Sequence, residues 1–163
     1  MSDIRALREV ETIRVKRLAD AEDALRQAQH AQKRAEQALE EARLALADYQ
    51  RKLPGLIEQL YADCIGHLVS REFVQEKAYD EAQLRAKVES FKAQVVEAEQ
   101  ALEKAVEATQ AAQLRLKQER MKLDALRELI KAERKNIAVA VARAEAKVLD
   151  DLAGSKFVRA MVH

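Results

Sequence analysis

The sequence predicts an all-α fold, a long antiparallel two-helix coiled-coil hairpin, on three observations. Leucine returns every seventh residue at Leu18, Leu25, Leu39, Leu46, Leu53 and Leu60, with Gln32 the one break. A second line three residues on holds Ala21, Ala28, Ala35, Ala42, Tyr49 and Leu56, so the two lines form the a/d seam of a coiled coil. Composition points the same way: 35% of the 163 residues are charged and 4% aromatic, with three Gly, one Pro and no Trp. Such a chain is rich in helix formers and poor in the aromatics that fill an ordinary globular core.

The first helix is expected over residues 3–65, with a kink or short break near 54. Pro54 removes one intrahelical hydrogen bond and disfavours helical geometry at Leu53. Yet Leu53, Leu56 and Leu60 keep the phase of the residues before it. Gly66 is the natural stop, residues 66–70 form the bend, and Ser70 is placed to cap the next helix.

The second helix, 71–150, carries its own seam. One line is Val88, Val95, Leu102, Thr109, Leu116, Leu123, Ile130 and Ile137; the other is Leu84, Phe91, Ala98, Ala105, Ala112, Glu119, Leu126, Glu133 and Ala140. A short connection makes the helices antiparallel. Folding about residues 68–69 sets Leu25 against Ala112, Ala35 against Leu102, Leu39 against Ala98 and Ala42 against Val95. Large meets small in each layer, which closes the pair without voids. A slip of one heptad matches nearly as well. Residues 151–163 are read as a tail, and the whole of 1–163 as one hairpin.

A seam of this kind has little concave interior, so function is expected from surface rather than from a cleft. No glycine-rich phosphate loop, nucleophile elbow or pair of metal carboxylates occurs, and the chain is not read as an enzyme. No cofactor is expected. Cys64 has no second cysteine to pair with, and His30, His67 and His163 are too far apart for a ligand set, so no metal is expected either. Cys64 is read as a small thiol near the bend. The charged start MSDIRALREVE and the lack of a long apolar run predict no signal peptide and no membrane insertion.

Net charge is only +1, but its distribution is uneven. Residues 54–114 hold six basic and eleven acidic side chains, whereas 115–147 hold ten basic and five acidic, and 1–17 five and three. The hairpin is therefore expected to have an acidic bend and a basic end where its termini meet. Acids interrupt the basic stretch and no aromatic platform accompanies it, so nucleic acid is not the expected partner. Tyr61 and Tyr79 fall off the seam, at positions expected to face water, where an aromatic ring suits recognition.

Two long helices, the bend LPGLIEQLYADCIGHLVSREFV and the return helix opening with AQLRAKVES together resemble the YscO/FliJ group, on the YscO side. These are central stalk proteins of bacterial type III secretion, and the likeness spans about residues 3–150. The resemblance implies a cytoplasmic stalk at the base of a virulence secretion apparatus. Its paired termini would enter a hexameric secretion ATPase and its bend would engage the export gate, coupling ATPase activity to export. Some members also bind export chaperones. By position and charge, the ATPase-binding surface would comprise Arg8, Arg14, Lys16, Arg17, Arg120, Lys122, Arg127 and Arg134. The gate-binding surface would centre on Tyr49, Leu56, Tyr61 and Tyr79. The alternatives are a structural coiled-coil scaffold, completed between chains, and an export chaperone holding unfolded clients.

Overall fold

The structure, a computed structural model, describes residues 2–162. It is an all-α hairpin: α1 spans Ser2–Tyr61, a single 3₁₀ turn spans Ala62–Cys64, and α2 spans Arg71–Val162. There is no strand among the described residues. Two compact units divide the chain. The first comprises residues 1–23 and 114–163, the second residues 24–113.

In the second unit the α1 seam is covered as the heptads require. Leu25, Ala28, Gln32, Ala35, Ala42, Leu46, Tyr49, Leu53, Leu56 and Leu60 are half-buried and Leu39 is buried. Facing them, Leu84, Val88, Phe91, Val95, Ala98, Leu102, Ala105 and Ala112 are half-buried and Thr109 is buried. Thr109 marks the pairing. Its Oγ1 donates to the Ala105 carbonyl at 3.0 Å and lies 3.3 Å from the Ala28 carbonyl of the other helix. That contact belongs to the same alignment that sets Leu25 against Ala112, and not to its one-heptad slip.

In the first unit the apolar seam residues Ala21, Leu116, Leu123 and Ile130 are all buried. Ile137 is half-buried, but Ala140, the last expected seam residue, is exposed. The described part of α1, from Ser2 onward, does not reach it.

Three expected boundaries differ from the observed ones. Pro54 lies inside α1 without breaking it. A proline costs the helix one N–H donor, and a phase-preserving seam on both sides holds the remaining turns. The first helix ends at Tyr61 rather than at 65, tightening into the 3₁₀ turn, where Ile65 N–H donates to the Ala62 carbonyl at 3.3 Å. Gly66 then adopts φ +76°, the left-handed geometry that lets the chain leave the helix without a Cβ penalty. At the other end, α2 continues past 150 through the segment expected to be a tail, of which His163 lies outside the described residues. Gly154 is the one residue there that weakens a helix, by roughly 1 kcal/mol relative to alanine, and no proline stops it.

Ser70 caps α2. Its Oγ accepts from Phe73 N–H at 3.1 Å and its carbonyl accepts from Val74 N–H at 3.2 Å. Replacing Ser70 with alanine should cost about 1 kcal/mol of stability, read from urea denaturation, whereas Ser70→Asp should retain most of it. Equal losses in both variants would show that the hydroxyl is not acting as a cap.

Candidate functional surfaces

The first unit carries the basic candidates. Arg8, Lys16 and Arg17 on α1 and Arg120, Lys122, Arg127 and Arg134 on α2 are all exposed. They project from the flanks of a seam whose apolar members point inward, so their heads are solvated and available to an acidic partner. Arg14 is different. Its position continues the α1 seam toward the N-terminus, four residues before Leu18 and seven before Ala21. Its side chain is 27% exposed and forms an ion pair with Glu119 at 3.8 Å, whose side chain is 12% exposed. The guanidinium is committed to the other helix, leaving seven outward cations.

The second unit carries the aromatic candidates, and they separate into two kinds. Tyr49 is a seam residue. Its hydroxyl donates to the Leu84 carbonyl at 2.6 Å, and its ring sits 5.0 Å from that of Phe91, tilted by 33°. Leu56 is likewise half-buried on the seam. Tyr61 was expected to face water but is half-buried at the end of α1. There its hydroxyl donates to Glu81 Oε2 at 2.7 Å, while Arg85 Nε and Nη2 donate to Glu81 Oε1 at 3.1 and 3.0 Å. The exit of the chain from α1 carries the ring onto α2, a contact that heptad position alone does not reveal. Tyr79 is the outward one, 65% exposed.

Sequence reasoning missed the apolar side chains at the bend. Leu68 is fully exposed, and Ile65 and Val74 are exposed beside it. A signal was present: Ile65 and Leu68 flank Gly66 in a segment too short to fold back and cover them.

The Tyr61–Glu81–Arg85 cluster sets local ionisation. Hydrogen bonding to Glu81, with a smaller contribution from desolvation, raises the Tyr61 hydroxyl above its ordinary pKa. The same bond, followed by those from Arg85, holds the Glu81 carboxyl below the usual glutamate value. A lowered acid favours the folded contact above its unfolded pKa and withdraws that support as pH falls through the folded value. A raised phenol favours the contact below its unfolded pKa and withdraws support as pH rises through the folded value. The contact should therefore loosen below the ordinary carboxylate range and again above the ordinary tyrosine range. A Glu81 side-chain NMR titration checks this: Tyr61→Phe should move its midpoint upward, and an unmoved midpoint would show the bond to be unimportant.

Other surface features are open. A groove of about 520 Å³ in the second unit is lined by Arg26, His30, Gln32, Lys33, Glu36 and Thr109 among others, and the Thr109 hydroxyl is engaged by backbone carbonyls. Cys64 is a half-buried free thiol. No group of three or more His, Cys, Asp or Glu among the described residues is placed to hold a metal ion. No helix among the described residues is long and apolar enough to cross a membrane.

These observations define a helical-hairpin protein that presents charged and aromatic side chains on the outer flanks of its two helices. Its sequence matches the family model of the type III secretion protein YscO over residues 5–153, and the chain belongs to that family. No curated protein and no solved structure matches it.

Proposed function

We propose that this type III secretion protein acts as the central stalk of the export machinery. In this reading the first unit inserts into the hexameric secretion ATPase, and the second engages the export gate. Nucleotide turnover is thereby coupled to protein export at the cytoplasmic base of a virulence apparatus. The observation that carries the reading is the family match together with the seven outward cations, Arg8, Lys16, Arg17, Arg120, Lys122, Arg127 and Arg134, concentrated in one unit. Solvated charges make contacts weak enough to be exchanged as a ring passes through its catalytic states. Arg14 supports the surface from inside through its ion pair with Glu119.

On the gate side the contact is apolar and aromatic. Tyr79, Ile65 and Leu68 supply exposed surface, while Tyr49, Leu56 and Tyr61 hold the two helices together beneath it. Export chaperones are further candidates for the same unit.

The test is direct. Saturating purified protein should raise the turnover of the cognate ATPase and promote its hexamer. Unchanged turnover and unchanged assembly would overturn the stalk reading. Sedimentation at micromolar concentration separates it from the scaffold alternative, since a hairpin closed within one chain stays monomeric and a seam completed between chains does not.

A further inference from the structure

Four charged residues stand on the seam of the first unit: Glu11 and Arg14 in α1, Glu119 and Glu133 in α2. Glu119 is buried and the other three are half-buried. Arg14 Nη1 and Glu119 Oε2 are 3.8 Å apart, both buried and both without a hydrogen-bond partner. An apolar pair would be the simpler filling, because desolvating two charges offsets much of their attraction. Polar residues on such seams have a well-attested use in choosing one alignment over another.

We propose that these four residues fix the register of the hairpin by making a one-heptad slip of α2 along α1 unfavourable in either direction. The apolar layers do not do this. Slipped by one heptad, Ala35 meets Thr109, Leu39 meets Ala105 and Ala42 meets Leu102, so large against small persists.

The charged layers behave otherwise. The Arg14–Glu119 pair allows Glu119 to sit opposite either Leu18 or Glu11. Ile130, 5% exposed, decides between them. With Glu119 opposite Glu11, α1 would end short of Ile130; with Glu119 opposite Leu18, Leu7 covers it. The seam pairs are therefore Leu18 with Glu119, Arg14 with Leu123, Glu11 with Leu126 and Ile4 with Glu133.

A slip in one direction brings Glu11 against Glu133 and leaves Arg14 about 16 Å along the axis from Glu119. A slip in the other direction brings Glu11 against Glu119. Each wrong alignment thus places two carboxylates in one layer, and the observed alignment places none together. Against the first slip the lost Arg14–Glu119 pair and the carboxylate clash act together; against the second, which keeps Arg14 beside Glu119, the discrimination is the repulsive element alone.

The test measures register directly. In a Cys64→Ser chain, spin labels are attached at Lys16→Cys and Lys131→Cys, two exposed positions of the first unit, and diluted with unlabelled chain so that only intramolecular distances are read. With the native seam one distance is expected. The variant Glu11→Lys turns both carboxylate clashes into attractions, and Glu11→Leu/Arg14→Leu/Glu119→Leu/Glu133→Leu removes all four charges. Each should add a second population, shifted by about 10 Å along the axis, while helical content by circular dichroism is kept. A second population in either variant supports the proposal. If the quadruple variant fails to fold, Glu11→Lys decides alone. A single native distance wherever the chain folds, or two distances with the native seam, overturns it.

Discussion

Leu123→Ala should destabilise the hairpin by about 3 kcal/mol, the size expected when a buried leucine is truncated and the cavity cannot fully collapse. Leu123 is 2% exposed and sits in the middle of the α2 seam. Leu129 provides the matched comparison. It lies one and a half turns or so further along the same helix and is 55% exposed. Leu129→Ala should change stability by no more than about 0.5 kcal/mol. Helix propensity slightly favours alanine at both sites, so it cannot produce the contrast. Urea denaturation followed by circular dichroism gives both values. A domain of this size has of order 10 kcal/mol of total stability, so the Leu123 variant would lose a substantial part of it. Equal responses at the two positions would mean that the seam phase assigned to α2 is wrong.

The seam was legible in the sequence because burial and period are linked by helix geometry. A residue that recurs every 3.5 positions on average stays on one face, and no other regular structure rewards that spacing. Val88, Val95, Leu102, Leu116, Leu123 and Ile130 illustrate the point: each was placed by spacing, and each is buried or half-buried. Ser70 and Gly66 were legible for a different reason. A side-chain oxygen before a helix start and a glycine after a helix end meet local backbone needs that do not depend on the rest of the fold.

What escaped the sequence depended on contacts between distant residues. Arg14 lies on the heptad grid, but its charge invited a surface reading. Only the arrival of Glu119 from α2, itself an irregular member of an apolar line, explains an arginine facing inward. Tyr61 lies off the grid and was read as water-facing, because the bond that covers it comes from Glu81 across the bend. Pro54 shows a local rule weighed against the seam. A local rule predicted a kink or break, and the helix runs on as one segment because the seam on either side outweighs one missing donor. Charge kept one part of its meaning through all of this: the remaining basic candidates of the first unit are exposed, as their flanking positions require.

The largest functional effect is expected from reversing that charge. Arg120→Glu/Lys122→Glu/Arg127→Glu should lower the apparent affinity for the secretion ATPase by at least about tenfold. Each exposed contact contributes roughly 0.2–1 kcal/mol, reversal replaces it with a repulsion of similar size, and 1.4 kcal/mol corresponds to a factor of ten. All three side chains are exposed on α2 away from the buried seam positions Leu116, Glu119 and Leu123, so helical content and urea midpoint should change little. Lys104→Glu, an exposed change in the second unit, serves as the comparison and should leave ATPase stimulation near the native level. Because the contacts are solvated, stimulation by the native chain should also fall as ionic strength rises, with a weaker salt dependence in the triple variant. Native stimulation from a folded triple variant would remove the basic surface from the ATPase contact and leave the family match as the sole support for the stalk reading. A loss of stimulation with unchanged salt dependence would point instead to a packing role for the aliphatic stems of these side chains. The two readouts together therefore distinguish charge from shape as the basis of the interaction.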